Sequence, residues 1–544
     1  MKKNQVVELT ITGISQDGSG VGRHEGMVIF IPMAAVGDRL RVKVVKALKS
    51  HAFGIIEEIL EPSPHRIDND CPAYKRCGGC SLRHIAYENE SEIKAGWLAE
   101  NLSRIGHIQV EMDTPIAGEQ SCRYRNKAQY PVRRVNGKIR TGFYARHTHD
   151  LIPVEDCRLQ PAFFADIARA FCAFLEDNGI EPYSDSDHSG LVRSLYLRHA
   201  AATGQVMACL VLNGNGMPQE EALVACLREA CPQMSSIVIN TNRQRGNTLL
   251  GDKERTIYGA DTIADVLCGV AVELSPRSFY QVNHDGAEAL YRKAFAYASP
   301  QPGDLILDLY CGAGTIGLSF LAAMQPQAAR LIGVEVVEAA VENARRNAAQ
   351  NGMNHAEFLC ADAGGAAQEL QKRGLTPDMV LLDPPRKGAA PEVLLAIAQM
   401  KPRKIVYISC NSATLARDCA RLAELEYHVQ RAVAVDMFPR TAHVETVVLL
   451  SKLKSSKSIE VKIDLDEVDL TKSESKATYD EIKSYVLDKY GFKVSQLYIA
   501  QVKRKHGIIE RENYYTGEGK AKVPQVPEDK EKAIEDALRH FQMI

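Results

Sequence analysis

From Asp304 onward one unit recurs: an apolar strand, a glycine- or proline-bearing turn, then a helix. It runs through "DLILDLYCGAGTIGL", "RLIGVEVVEAAVENARRNA", "PDMVLLDPPRKG" and "RKIVYISCNSATLARD". Four apolar strands alternating with helices leave little choice of fold, because the helices must cover the sheet they connect. The expected class is α/β, a Rossmann-like, doubly wound parallel sheet. Such sheets take ligands outside the carboxyl ends of their strands, so the residues at those ends matter most. The chain is long enough for further cores, with 544 residues, 45% of them hydrophobic and 25% charged.

Three strand ends carry distinctive chemistry. In "DLYCGAGTIG", Gly312, Gly314 and Gly317 have the G-x-G-x-x-G spacing that brings backbone against a nucleotide at a helix N-terminus. Glu335 closes the next strand, where a carboxylate can grip ribose hydroxyls. These features alone do not separate NAD from S-adenosylmethionine, and a structural strand-to-helix turn is the plain alternative. "LLDPPRKG" sets Asp383 at another strand end, followed by prolines that stiffen the loop, although a helix N-cap would also explain an aspartate there. Arg386 stands where amine-directed methyltransferases with similar loops have an aromatic residue, which disfavours amine chemistry. "VYISCN" ends a third strand on Cys410.

A buried thiol is ordinarily a small hydrophobe, but at this rim it has a chemical use. Uracil C5 is a poor nucleophile until a thiolate adds to C6, which leaves an enolate able to attack a sulfonium methyl. A base must then remove the C5 proton before the thiol can leave. "RTAHVETVVLL" offers Glu445 immediately before the last apolar strand, beside His443.

Taken in order and spacing, "SFYQVN", "DLYCGAGTIGL", "LLDPPRKG", "YISCN" and "HVETVVLL" resemble the bacterial RNA uracil-5-methyltransferases. The nearest group is the 23S ribosomal RNA enzymes that carry an N-terminal TRAM domain and an iron–sulfur cluster. The resemblance extends over residues 1–452. It implies S-adenosyl-L-methionine as cofactor, Cys410 as nucleophile and Glu445 as the proton-abstracting base. It further implies cofactor or active-site contacts at Gln281, Tyr310, Gly312, Gly314, Glu335 and Asp383, with Asp362 near the adenine. Thr315 departs from the asparagine found in part of the family.

Cys71, Cys77 and Cys80 fall within "CPAYKRCGGC", although the chain has only 14 cysteines in all, so a metal site is expected there. Spacing alone favours zinc, yet this chain supplies only one C-x2-C pair. The resemblance implies a 4Fe-4S cluster with Cys157 as the remote ligand, and Cys122 is the competing candidate.

A formal net charge of -2 means that any RNA surface must be local. Between Ser121 and His149 lie Arg123, Arg125, Lys127, Arg133, Arg134, Lys138, Arg140 and Arg146 and no acidic residue, interleaved with Tyr124, Tyr130, Phe143 and Tyr144. Cations that follow phosphates and rings that stack bases suit single-stranded RNA, the alternative being a solvated basic hairpin.

The expected organisation is a β-barrel resembling a TRAM module at 1–61, a cysteine segment at 62–85 and a central α+β RNA-binding region at 86–274. A methyltransferase domain at 275–452, a linker at 453–476 and a helical appendage at 477–544 follow. Within the central region, a helix near 89–105 is expected to pack on the catalytic domain. In the appendage, Tyr479, Ile482, Tyr485 and Val486 make one apolar face, Gly491 ends that helix, and Ser495 caps another that finishes in Lys503, Arg504 and Lys505, resembling a helix-turn-helix.

No apolar run is long enough to cross a membrane and no signal peptide is evident, so a cytoplasmic enzyme is expected. The expected partner is RNA, 23S ribosomal RNA before transfer RNA, with no obligate protein partner. A noncatalytic iron–sulfur RNA-binding protein would not need Cys410 with Glu445, and an oxidoreductase would have no use for "DPPRKG" followed by "SCN".

Overall fold

The repeated units build a seven-stranded sheet in the spatial order Ala356–Cys360, Arg330–Glu335, Leu305–Leu309, Met379–Leu382, Lys404–Ser409, Glu445–Lys452, Tyr427–Val435. Six strands run parallel and only Glu445–Lys452, between Lys404–Ser409 and Tyr427–Val435, runs against them; the order reverses beside Leu305–Leu309, where a doubly wound sheet opens its ligand crevice. The expected fold class is the one adopted. The sequence pattern showed four parallel strands; the edge strand Ala356–Cys360 was not among them, being only five residues long and buried at Phe358 alone. In this computed structural model the described residues are 1–146, 148–246, 248–324, 329–452, 479–492, 494–506, 526–541 and 543.

Alternate residues of the buried strands feed two cores. Leu307, Leu382 and Tyr407 join one that also holds barrel residues and Trp97, Leu98 and Leu102 of the helix Tyr87–Arg104. Trp97 fixes that helix to the barrel by donating to the Ile14 carbonyl at 2.7 Å. Ile306, Leu381 and Val406 join the other core, together with the hairpin Ile263–Leu267/Val270–Leu274 and the helix His284–Ala298. Since the hairpin shares this core, we draw the catalytic body as beginning before residue 263 rather than at 275.

The N-terminal segment closes into a five-stranded barrel of Val6–Ile14, Ser19–His24, Met27–Pro32, His51–Glu61 and Arg39–Ala47. Val7, Leu9 and Ile11 alternate inward along its first strand, as the sequence pattern requires. The central region forms a second seven-stranded sheet, in which Lys127–Val135 pairs with Val192–His199. Folding neutralises much of the basic stretch: Arg123 pairs with Asp156, Arg133 with Asp185, and Arg134 with Glu176 and Glu181. Tyr130 is buried, and the Tyr124 hydroxyl is committed to the Pro439 carbonyl at 2.9 Å. The carboxylates come from outside the stretch, so its composition concealed them.

The chain divides at Lys454, and Ser455–Ile544 is a separate unit. It contains the helices Tyr479–Tyr490, Gln496–Lys505 and Glu528–His540 around Ile482, Val486, Ile499, Val502, Ile534 and Leu538. Ser495 caps the second helix by accepting from the Tyr498 amide. The expected basic tip is largely spent, because Lys503 is buried and Lys505 pairs with Glu531 of the third helix. The expected linker at 453–476 and the side chain of Tyr479 lie outside the described residues. Among the described residues, no helix is long and apolar enough to cross a membrane.

Candidate active site

The first wall of the site is the turn after Leu305–Leu309. Tyr310 adopts a left-handed backbone (φ 61°), a strained state for a tyrosine, and Gly312 and Gly314 continue the reversal at φ 54° and 77°. Gly314 is constrained twice, since a β-carbon there would also lie 2.9 Å from the Phe358 ring. Glu335 braces the turn: its carboxylate accepts from the amides of Gly312 (3.2 Å), Val336 (2.9 Å) and Val337 (3.1 Å). Below lies Asp308, which accepts from the Gly317 amide at 3.1 Å while its other oxygen has no partner. Burial pushes this carboxyl up to about 8.

The second wall follows from "SCN". Asn411 caps the helix Ser412–Glu424, accepting from the Ala413 (3.0 Å) and Thr414 (3.3 Å) amides, and its side-chain amide donates to the Arg386 carbonyl at 3.2 Å. Ser409 donates its hydroxyl to the Asn411 carbonyl at 3.1 Å. Its neighbours thus spend their side chains on backbone, while Cys410 keeps its thiol for the cavity.

The cavity, about 450 Å³, is lined among others by Gln281, Tyr310, Gly312, Asp383, Cys410 and Glu445. Of the remaining expected cofactor residues, Gly314 and Glu335 shape the turn behind it. Asp362 caps the helix Ala363–Lys372, accepting from the Gly365 amide at 2.7 Å. Thr315 lines the cavity within 3.4 Å of the Tyr291 hydroxyl.

The electrostatics are those of a dry site. Burial pushes Asp383 up to about 7. Burial, and then the nearby Asp383, holds Glu445 well above the usual carboxylate range, with Arg386 opposing. Burial and Glu445 raise the Cys410 thiol, while the charge of the Arg386 guanidinium pulls the other way. Sequence reasoning took Arg386 only as a missing aromatic; its position three residues after Asp383, on the same rim, was the available signal. It also passed over Phe279, inside the quoted "SFYQVN", which sits at the cavity with 81% of its surface exposed.

Cys71, Cys77, Cys80 and Cys157 line a second, smaller cavity, and Cys122 does not. The Gly79 amide donates to the Cys77 sulfur at 3.4 Å. Arg83, held by Asp70 at 2.7 and 2.9 Å, also lines this cavity and has one buried nitrogen without a partner. Among the described residues, no three or more His, Cys, Asp or Glu side chains are grouped so as to hold a metal ion.

A doubly wound sheet with a glycine turn and a carboxylate-braced crevice is the frame of an enzyme that binds a nucleotide-type cofactor, here with a thiol at its rim. Residues 257–453 match the family described as tRNA (Uracil-5-)-methyltransferase, and residues 2–56 match the TRAM domain. An uncharacterized RNA methyltransferase of Halalkalibacterium halodurans is 38% identical over 451 residues, covering 83% of this chain and 98% of its own length. One from Clostridium tetani is 37% identical, covering 83% and 97%. Among solved structures, the Pyrococcus abyssi tRNA (uracil-54, C5)-methyltransferase in complex with S-adenosyl-L-homocysteine superposes with a TM-score of 0.66 at 27% identity, over 82% of this chain and all of that one. The chain belongs to the RNA uracil-5-methyltransferase family and is an S-adenosylmethionine-dependent RNA methyltransferase. The unit Ser455–Ile544 lies outside both family matches.

Proposed function

We propose that this enzyme methylates C5 of a uridine in RNA through a covalent adduct between Cys410 and C6. The observation that carries the reading is one cavity holding Cys410, Glu445, Asp383 and Gln281 beside the glycine turn. Bound S-adenosylmethionine supplies an electrophilic methyl on sulfur. Arg386 favours the Cys410 thiolate, which adds to C6 and leaves C5 with the electron pair that takes the methyl. Glu445 then removes the C5 proton, the C6–S bond breaks, and the thiolate is restored. A carboxyl held above its usual range is the stronger base once ionised, which suits a carbon acid. The mostly exposed Phe279 gives an unpaired base a surface to stack on at the entrance.

The substrate is 23S ribosomal RNA and the setting cytoplasmic; the barrel and the cysteine cavity, with the sequence resemblance, support this over transfer RNA. The cysteine cavity is read as the seat of a 4Fe-4S cluster held by Cys71, Cys77, Cys80 and Cys157. The four thiols share one cavity without being drawn together as a metal-ion site, but the amide aimed at a sulfur and the guanidinium nitrogen lacking an acceptor suit an anionic thiolate cluster. RNA carrying 5-fluorouridine at the target should become covalently bound to wild-type enzyme when S-adenosylmethionine is present, and Cys410→Ala should form no adduct. Methyl transfer surviving in Cys410→Ala would refute the reading.

A further inference from the structure

Three cations gather where the central sheet meets the catalytic cavity. Arg125 and Lys127 line it, and Arg198 is the register partner of Lys127 on the adjacent strand. The residue between them fixes this placement. Asn126 is buried, donating its amide to the Val282 carbonyl (2.8 Å) and its side chain to the Gln281 carbonyl (2.9 Å), while its own carbonyl accepts from the His199 amide (2.8 Å). Alternation along an extended chain then gives Arg125 and Lys127 a common side.

Among the described residues, no carboxylate pairs with this group. Arg123, Arg133 and Arg134 of the same stretch are ion-paired, whereas among the described residues Arg125, Lys127 and Arg198 are not. Arg125 Nε and Arg198 Nη1 are buried without an acceptor, although Arg198 donates elsewhere to the Tyr196 hydroxyl and to the Ser278 carbonyl. Burial, Arg198 and Arg125 together push Lys127 down to about 8. Like charges opposite each other in a sheet and donors left without acceptors both cost folding free energy, and an anion rich in acceptor oxygens offsets both. Phe279 stands exposed on the same cavity.

The geometry points to a phosphate subsite: Arg125 and Lys127 grip a phosphodiester of the RNA strand next to the target uridine, with Arg198 reinforcing the field. This rests on the uridine-methylation reading for the identity of the strand, though not for the presence of an anion site. The test is binding of a short fluorescent oligouridylate over a range of salt concentrations. Each phosphate neutralised on a single strand contributes about 0.7 to the slope of log K against log salt, so losing this one phosphodiester in Arg125→Gln/Lys127→Gln should flatten it by about 0.7. Arg125→Lys/Lys127→Arg should keep the slope, as should Arg255→Gln, whose guanidinium is paired with Glu220. An unchanged slope in the glutamine variant overturns the proposal, and so does an equal loss in the charge-preserving one. Loss of S-adenosylhomocysteine affinity in the glutamine variant would assign the cations to the cofactor's carboxylate and overturn it as well. Failure of the methylation reading would show separately, as wild-type enzyme that yields no 5-methyluridine, and leaves the slope test intact.

Discussion

Cys410 and Glu445 are neighbours across an antiparallel strand pair, although far apart in the sequence. Ser409 pairs with Thr446 in register, and the Thr446 hydroxyl donates to the Ser409 carbonyl at 2.8 Å. The thiol and the carboxyl therefore face one cavity from adjacent strand ends and influence each other's charge. Burial raises both groups, Glu445 raises the thiol further, and Arg386 opposes both shifts.

Glu445→Gln should separate the two halves of the reaction. The variant should bind RNA and cofactor, add Cys410 to C6 and transfer the methyl, then stall, since losing a general base slows its step by about a hundred- to ten-thousand-fold. A methylated RNA–enzyme adduct should accumulate with ordinary uridine RNA, visible as a mass increase on a denaturing gel. Release of 5-methyluridine at the wild-type rate would make Glu445 a structural carboxylate.

Arg386→Gln should shift the pH dependence. Arg386 lowers a thiol that burial and Glu445 have raised, so its removal sends the thiol higher and moves the ascending limb of the rate profile to more alkaline pH. A nearby opposite charge moves a pKa by about one to three units, so the rate at neutral pH should fall about ten- to a thousandfold and recover in part with added base. A uniform loss at every pH would mean that Arg386 acts in some way other than on the thiol.

The parts legible in the sequence were those written into contiguous strand ends: the glycine turn, Cys410 between Ser409 and Asn411, and Glu445 ahead of a strand. A short motif there fixes backbone and chemistry together. Arg386 as the thiol's partner was not legible, because that role depends on which loop the Asn411 side chain holds beside Cys410. Nor was the pairing of Arg123, Arg133 and Arg134, whose carboxylates come from later segments. The backbone amides that Glu335 and Asp362 accept from were likewise not announced by residue type or spacing.

Lys94 ties the helix Tyr87–Arg104 to the loop that leads into Glu445. Its ammonium is buried between Glu90 and Asp436, each at 2.8 Å, and donates to the Phe438 carbonyl at 3.1 Å. Lys94→Met would remove the ammonium shared by two buried carboxylates, leaving Glu90 to Arg440 and Asp436 to the Phe438 amide, so it should cost about 3–5 kcal/mol in urea unfolding. Glu90→Gln should cost less, because burial already pushes that carboxyl up to about 7. Equal costs would show that shape rather than charge holds the junction.

Asp308 should give wild type a pH-dependent stability that Asp308→Asn lacks. Its folded carboxyl titrates near 8, well above the unfolded value of 3.8, so its contribution is complete at low pH and is lost as pH rises through about 8. Between pH 5 and pH 8 the melting temperature of wild type should therefore fall further than that of Asp308→Asn, by about 1 °C for each kcal/mol lost in a unit of this size. Parallel melting curves across that range would refute the assignment.

The cysteine cavity makes the last prediction, and it concerns composition rather than rate. Cys71, Cys77 and Cys80 come from one short segment and Cys157 from another, so a bound cluster would cross-link the cysteine segment to the central sheet. Protein purified without oxygen should be brown and carry about four irons per chain. Cys157→Ser should lose the colour and most of the iron, whereas Cys122→Ser, altering an exposed thiol outside the cavity, should keep both. The same segment donates from the Ser81 and Leu82 amides to the Arg440 carbonyl at 2.9 and 3.1 Å, within the loop that runs to Glu445. Loss of iron should therefore also loosen that loop, seen as faster amide exchange over residues 436–444. Stoichiometric zinc without iron in anaerobically prepared protein would refute the cluster, and unchanged exchange in iron-free protein would show that the loop holds its place without it.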